Sequence, residues 1–145
     1  MNTRYLFLII TVLMLAAYSA GCAANNGTGG DYANLIDNLR SAGAVVEPQG
    51  EASPDFLSAK RMIIIVNSGD VQVYEYDDAA AADAEAAFIS SDGSSIRTAT
   101  KITFVDWIAP PHFYKAGKLI VLYVGDSEAV LAVLERVLGP QFAGQ

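Results

Sequence analysis

Val71-Gln72-Val73-Tyr74-Glu75-Tyr76-Asp77-Asp78-Ala79 decides the fold, together with its counterpart Val121-Leu122-Tyr123-Val124-Gly125-Asp126-Ser127. The first stretch alternates apolar and polar residues, as a half-exposed strand does, and then turns to Asp-Asp before an alanine-rich run that reads as a helix. The second is a continuous apolar strand followed by Asp-Ser and a run with helical spacing. Upstream of each lies another strand. Arg61–Val66 is apolar and rich in β-branched residues and is joined to Val71 by the turn residues Asn67-Ser68-Gly69-Asp70. Ile102–Ile108 reads as a strand, Ala109–Gly117 as a loop, and Lys118–Val124 as a buried strand. Both halves therefore read strand–loop–strand–Asp–helix. Two such units bury their helix stripes most simply against one sheet. The expectation is an α+β, two-layer sandwich with a mainly antiparallel sheet, helices on one face, and element order αβ-ββα-ββα. An internal duplication and ordinary Asp capping explain the likeness equally well.

Working outward, Asp31 is a good N-cap for a helix carrying Leu35, Ile36, Leu39 and Ala42 on one side, which Gly43 closes. Ala44–Glu47 is a short strand stopped by Pro48, and residues 49–59 form a loop. The helix over Ala79–Ile89 places Ala81, Ala84 and Phe88 on one stripe, and Ser90–Ser95 is a loop centred on Asp92-Gly93. Glu128–Leu138 turns Val130, Leu131, Leu134, Val137 and Leu138 inward, and Gly139-Pro140 ends it.

The first 24 residues carry a different message. Arg4 precedes an apolar run from Tyr5 to Ala17; small residues Ser19-Ala20-Gly21 and then Cys22, the only cysteine, follow. Basic n-region, apolar h-region and small-residue cleavage site describe an export signal. Ala20-Gly21-Cys22 resembles the lipobox of bacterial lipoproteins, although Ser19 stands where that family prefers leucine. The resemblance implies cleavage before Cys22 and a diacylglyceryl group on its thiol. The same residues also allow an uncleaved N-terminal helix, since Tyr5–Ala24 is uncharged and long enough to span a bilayer, or plain secretion. The expected organisation is a lipoprotein signal peptide over 1–21, a small, polar, glycine-rich tether over 22–30, and a single α+β domain over 31–145.

Sixteen acidic residues against nine basic ones give a net charge of −7. No basic patch suggests nucleic-acid binding. An acidic body gains little from anionic headgroups, so membrane association is expected to rest on the lipid and not on the domain surface. A domain of this size needs no disulfide to hold its core.

Catalytic signatures are sparse. His112 is the only histidine, so a zinc or copper site is not expected, and no cofactor is. Gly93-Ser94-Ser95 lacks the spacing of a nucleophile elbow. Asp92-Gly93-Ser94 shares two residues with a calcium loop and reads as a turn. Asp77, Asp78 and Asp126 are explained by helix N-termini. Glu75 and Asp106 lie within strands beside aromatic residues, where solvent-facing positions account for them. One segment concentrates unusual chemistry: Asp106-Trp107-Ile108-Ala109-Pro110-Pro111-His112-Phe113-Tyr114 holds the only tryptophan, the only histidine and a proline pair. Trp107, His112, Phe113 and Tyr114 are the candidate binding residues, on a stiff loop that presents His112 and Tyr114 outward. The other reading of the same residues is an aromatic plug at one end of the core.

The segments Trp107–Tyr114, Leu119–Gly125 and Leu138–Gly144, with Asn34–Ala44 and Val71–Tyr76, resemble a group of small uncharacterised bacterial lipoproteins. The resemblance implies a place at the cell envelope and no particular activity. The leading expectation is a non-enzymatic binding or interaction module, held outside the cytoplasm by lipid on Cys22, with a small ligand or an envelope protein as partner and no nucleic acid. The alternatives are a small envelope hydrolase using His112 with Asp106 or Glu75, and a structural accessory of an envelope complex.

Overall fold

The computed structural model describes residues 31–145; Cys22 and the signal and tether segments lie outside the described residues. The elements run α1 (Asp31–Ser41), β1 (Val46–Ala52), β2 (Lys60–Val66), β3 (Gly69–Glu75), α2 (Ala79–Ala86), β4 (Ser95–Arg97), β5 (Ile102–Phe104), β6 (Pro111–Ala116), β7 (Leu119–Val124), α3 (Glu128–Leu138) and β8 (Ala143–Gly144). Six strands make one sheet in the order β1-β2-β3-β7-β6-β8, and β4-β5 form a separate pair. Every pairing is antiparallel. The protein is α+β with a mainly antiparallel sheet, as its sequence predicts. No described helix is long and apolar enough to cross a membrane.

The strand-to-helix units resolve as two hairpins joined along a central seam. Between β2 and β3 the turn residues Asn67 (φ 47°) and Ser68 (φ 69°) are both left-handed, which suits the twist of a tight hairpin. The β6–β7 turn puts Gly117 (φ 55°) at its first central position. Along the seam Val73 pairs with Val121, and the two hairpins meet there about a local dyad. The symmetry ends where the strands end. Asp78 caps α2 by accepting from the Ala81 N–H at 2.8 Å, whereas α3 starts at Ser127 with no side-chain cap bond.

Side chains alternate across the seam and feed two cores. Val71, Val73, Val121 and Tyr123 join Leu35, Ile36 and Leu39 of α1 and Val130, Val133 and Leu134 of α3 on one face. Tyr74, Ile120 and Leu122 join Ala82 of α2, Leu57, Ile96 and Phe113 on the other. The helical layer expected on one face is thus made by α1 and α3. α2, with the β4–β5 pair, covers the opposite face. Only Ala82 of α2 is buried, with Ala86 packed against the same core, so the contact stripe is one residue away from Ala81, Ala84 and Phe88; Phe88 is exposed. Without a large side chain on the helix, spacing alone could not orient it.

Four further departures concern single elements. β1 runs through Pro48 because it is an edge strand, where proline is tolerated, and a bulge between Pro48 and Gly50 absorbs the irregularity. Ile102–Ile108 supplies only the short β5 and never enters the main sheet. Pro111–Ala116, expected as loop, is β6: Pro111 takes the first strand position, where its missing N–H is tolerated. Asp31 is the first residue of α1, and its carboxylate accepts from the Lys118 N–H at 3.3 Å across the β6–β7 turn. At the far end of α1 the anticipated glycine closure is present. Gly43 (φ 94°) donates to Arg40 O and Ala44 donates to Leu39 O, which together form a Schellman motif.

Candidate functional site

β6 carries His112, Phe113 and Tyr114 into the interior, so the exposed-loop expectation is overturned. Their exposures are 7%, 0% and 3%. The strand is covered on both faces. Tyr114 enters the α1/α3 core and Phe113 the α2 core. His112 stacks on Tyr123, with centroids 6.1 Å apart, and its ring nitrogens reach Gln141 Oε1 at 2.7 Å and the Gly125 carbonyl at 3.0 Å. Both nitrogens are thereby occupied, and neither Asp106 nor Glu75 is a partner. Glu75 instead pairs with Lys118 at 3.2 Å. These side chains act as the aromatic plug. They hold the strand in place and present nothing outward.

Trp107 is placed differently. Half-buried, it stands edge-on to Phe56 (5.5 Å between centroids) and Phe113 (6.0 Å), and its Nε1–H donates to the Gly93 carbonyl at 2.8 Å. It forms one wall of a cleft of about 350 Å³, shared with Asp92, Ser94, Asp106, Pro110 and Pro111. Gly93 sets this wall. Its φ of 70° is left-handed, and a Cβ there would stand 2.9 Å from the Phe113 ring. A smaller cleft, about 220 Å³, lies between α1 and the β6–β7 turn and contains none of the expected site residues.

The two cleft carboxylates differ in character. Asp92 accepts from the Ser90 hydroxyl at 2.6 Å, the Ser94 N–H at 3.0 Å and the Ser94 hydroxyl at 2.8 Å. The Ser90 hydroxyl foremost, then the two Ser94 donors, hold its carboxyl down at about 2. Asp106 is exposed and has no hydrogen-bonding or ionic partner among the described residues. The cleft is therefore anionic, with an apolar aromatic wall. No group of three or more His, Cys, Asp or Glu comes together among the described residues. Trp107 and Asp106 stand out in the sequence by residue type, whereas Asp92 shows there only as a turn residue. The turn is there; the polar run Ser90-Ser91-Asp92-Gly93-Ser94-Ser95 was the available sign of something more.

Because the folded loop lowers the Asp92 pKa, its contribution to stability is present above the ordinary aspartate value. It is lost as pH falls through about 2. NMR titration of the carboxyl carbon should show that low midpoint, and Ser90→Ala should raise it. An unshifted midpoint in the wild-type chain would show that the Ser90 and Ser94 bonds do not persist in solution.

No protein-family model, no curated protein and no solved structure matches this chain.

Proposed function

We propose that this chain is a lipid-anchored, extracytoplasmic protein of the bacterial cell envelope whose domain is a non-enzymatic binding module, with its ligand seated in the Trp107 cleft. The observation that supports the module reading is the cleft itself. It is a concavity with one aromatic wall and an unpartnered carboxylate at Asp106, the combination of apolar surface and few polar groups that small-ligand sites use. The carboxylates suit a ligand bearing positive charge. Support for the anchor comes from the sequence alone, in the apolar run that ends at Ala20-Gly21-Cys22. A hydrolase using His112 is less well supported, because the imidazole spends both nitrogens on Gln141 and Gly125.

Two measurements test the two parts. Intact-mass analysis of membrane-extracted protein should find a chain beginning at Cys22 and carrying a diacylglyceryl group; an unmodified chain retaining Met1 would refute the anchor. As the only tryptophan, Trp107 reports on the cleft directly. Small-molecule fractions of the native envelope should shift its emission, and Asp106→Asn should weaken that shift. A partner that still binds Trp107→Phe undiminished, with no fraction moving the emission, would place the binding surface elsewhere.

A further inference from the structure

The β4–β5 pair divides its apolar residues between the core and the outside. Ile89, Ile96 and Thr103 lie in one cross-strand row, with Ile89 and Ile96 buried. The alternate rows face out: Arg97 pairs with Ile102, and Ser95 with Phe104. The Arg97 N–H reaches the Phe88 carbonyl at 2.7 Å, which brings Phe88 beside them. Phe104 is 77% exposed, Ile102 43% and Phe88 38%.

Charge separates on the same element. Of the basic side chains in residues 31–145, Lys60, Arg61, Lys115 and Lys118 form ion pairs, and Arg40 and Arg136 bond to backbone carbonyls. Arg97 and Lys101 are left without a partner among the described residues, and both flank the exposed Ile102. An otherwise acidic body thus keeps its two uncommitted cations beside its outward apolar row. β5 is only three residues long, so a second copy pairing along it would bury well under the roughly 1,000 Å² that a specific dimer needs. Apolar side chains rimmed by free cations fit an anionic lipid surface instead.

We propose that the β4–β5 hairpin is a second, weak contact with the bilayer, with Phe104, Ile102 and Phe88 entering the headgroup region and Arg97 and Lys101 meeting anionic headgroups. This rests on the reading that Cys22 is lipidated. Two cations and three partly exposed apolar side chains would bind poorly from free solution. On a nine-residue connection from Cys22 to Asp31, reaching at most about 30 Å, the contact becomes intramolecular and its effective concentration high. The hairpin would then set which side of the domain faces the membrane.

The test uses the acylated full chain reconstituted on vesicles of phosphatidylcholine alone or mixed equally with phosphatidylglycerol, read by flotation and amide hydrogen exchange. Exchange across residues 101–105 should slow by about tenfold on the anionic vesicles and not on the neutral ones. The protection should disappear at high salt and in Arg97→Glu/Lys101→Glu, whose melting temperature should match the parent. Ile102→Ser/Phe104→Ser should lose it as well. If the protein floats with both vesicles and the hairpin stays unprotected, the contact is refuted and the anchor stands. No flotation with either vesicle refutes both. Protection that is equal on neutral lipid, or that follows protein concentration and not lipid, also overturns the proposal.

Discussion

Phe113→Ala is expected to destabilise the domain by about 3–5 kcal/mol, the usual range for removing a buried phenylalanine. Phe113 is fully buried, contacts Trp107 edge-on at 6.0 Å and Phe142 at 6.1 Å, and lies against the backbone of Gly93. The void would open beneath the cleft wall, so collapse around it requires Trp107 to move. Differential scanning calorimetry should record a fall in melting temperature on the order of 10 °C or more, accompanied by a shift in Trp107 emission. A near-native melting temperature would mean that β6 is not a core strand, and would restore the exposed-loop reading of residues 109–117.

Gly144→Ala should strip β8 from the sheet. The residue has φ 107°, and a Cβ there would fall 1.9 Å from the Pro111 carbonyl oxygen, a backbone atom that cannot turn aside. The segment holds on through Phe142 N–H to Phe113 O at 2.8 Å, Gly144 N–H to Ser91 O at 2.9 Å and Gln145 N–H to Pro111 O at 3.0 Å. At about 1 kcal/mol each, those bonds set the scale of the loss at about 3 kcal/mol. The damage should stay local at first. Amides of Phe142, Gly144 and Gln145 lose exchange protection, and His112 loses its Gln141 partner, while β3 and β7 keep theirs. Unchanged protection at Phe142 and Gly144 would refute the packing described for the C-terminal strand.

What could be read in the sequence follows from where side-chain volume lies. Leu35, Ile36 and Leu39 are large and correctly spaced, and α1 packs as their periodicity says. The same holds for Val130 and Leu134 of α3. The apolar residues of α2 are all alanines, so its contact face was decided by the sheet beneath it. For β6 the proline pair outweighed the apolar content of His112-Phe113-Tyr114. A strand covered on both faces shows no alternation that could have corrected this. The hairpin misled in the opposite sense, since Ile102 and Phe104 have the alternation of a core-facing strand and face outward. Of the candidate site, Trp107 could be recognised by type. Its cleft could not, because Asp92 is joined to Trp107 only through the Gly93 carbonyl and the turn that presents it.

The seam between β3 and β7 also imposes a schedule. Each hairpin closes through a two-residue turn and can form on its own within microseconds. Their junction joins Val73 to Val121, residues far apart in the chain, and such distant contacts come late. A chain emerging N-terminus first therefore holds β3 with one edge unpaired until β7 follows it. During that interval Val71, Val73 and Tyr74 lack both their strand neighbour and much of their cover. An open apolar edge is the surface on which chains associate wrongly, so the nascent protein is most vulnerable between the appearance of Glu75 and that of Val124.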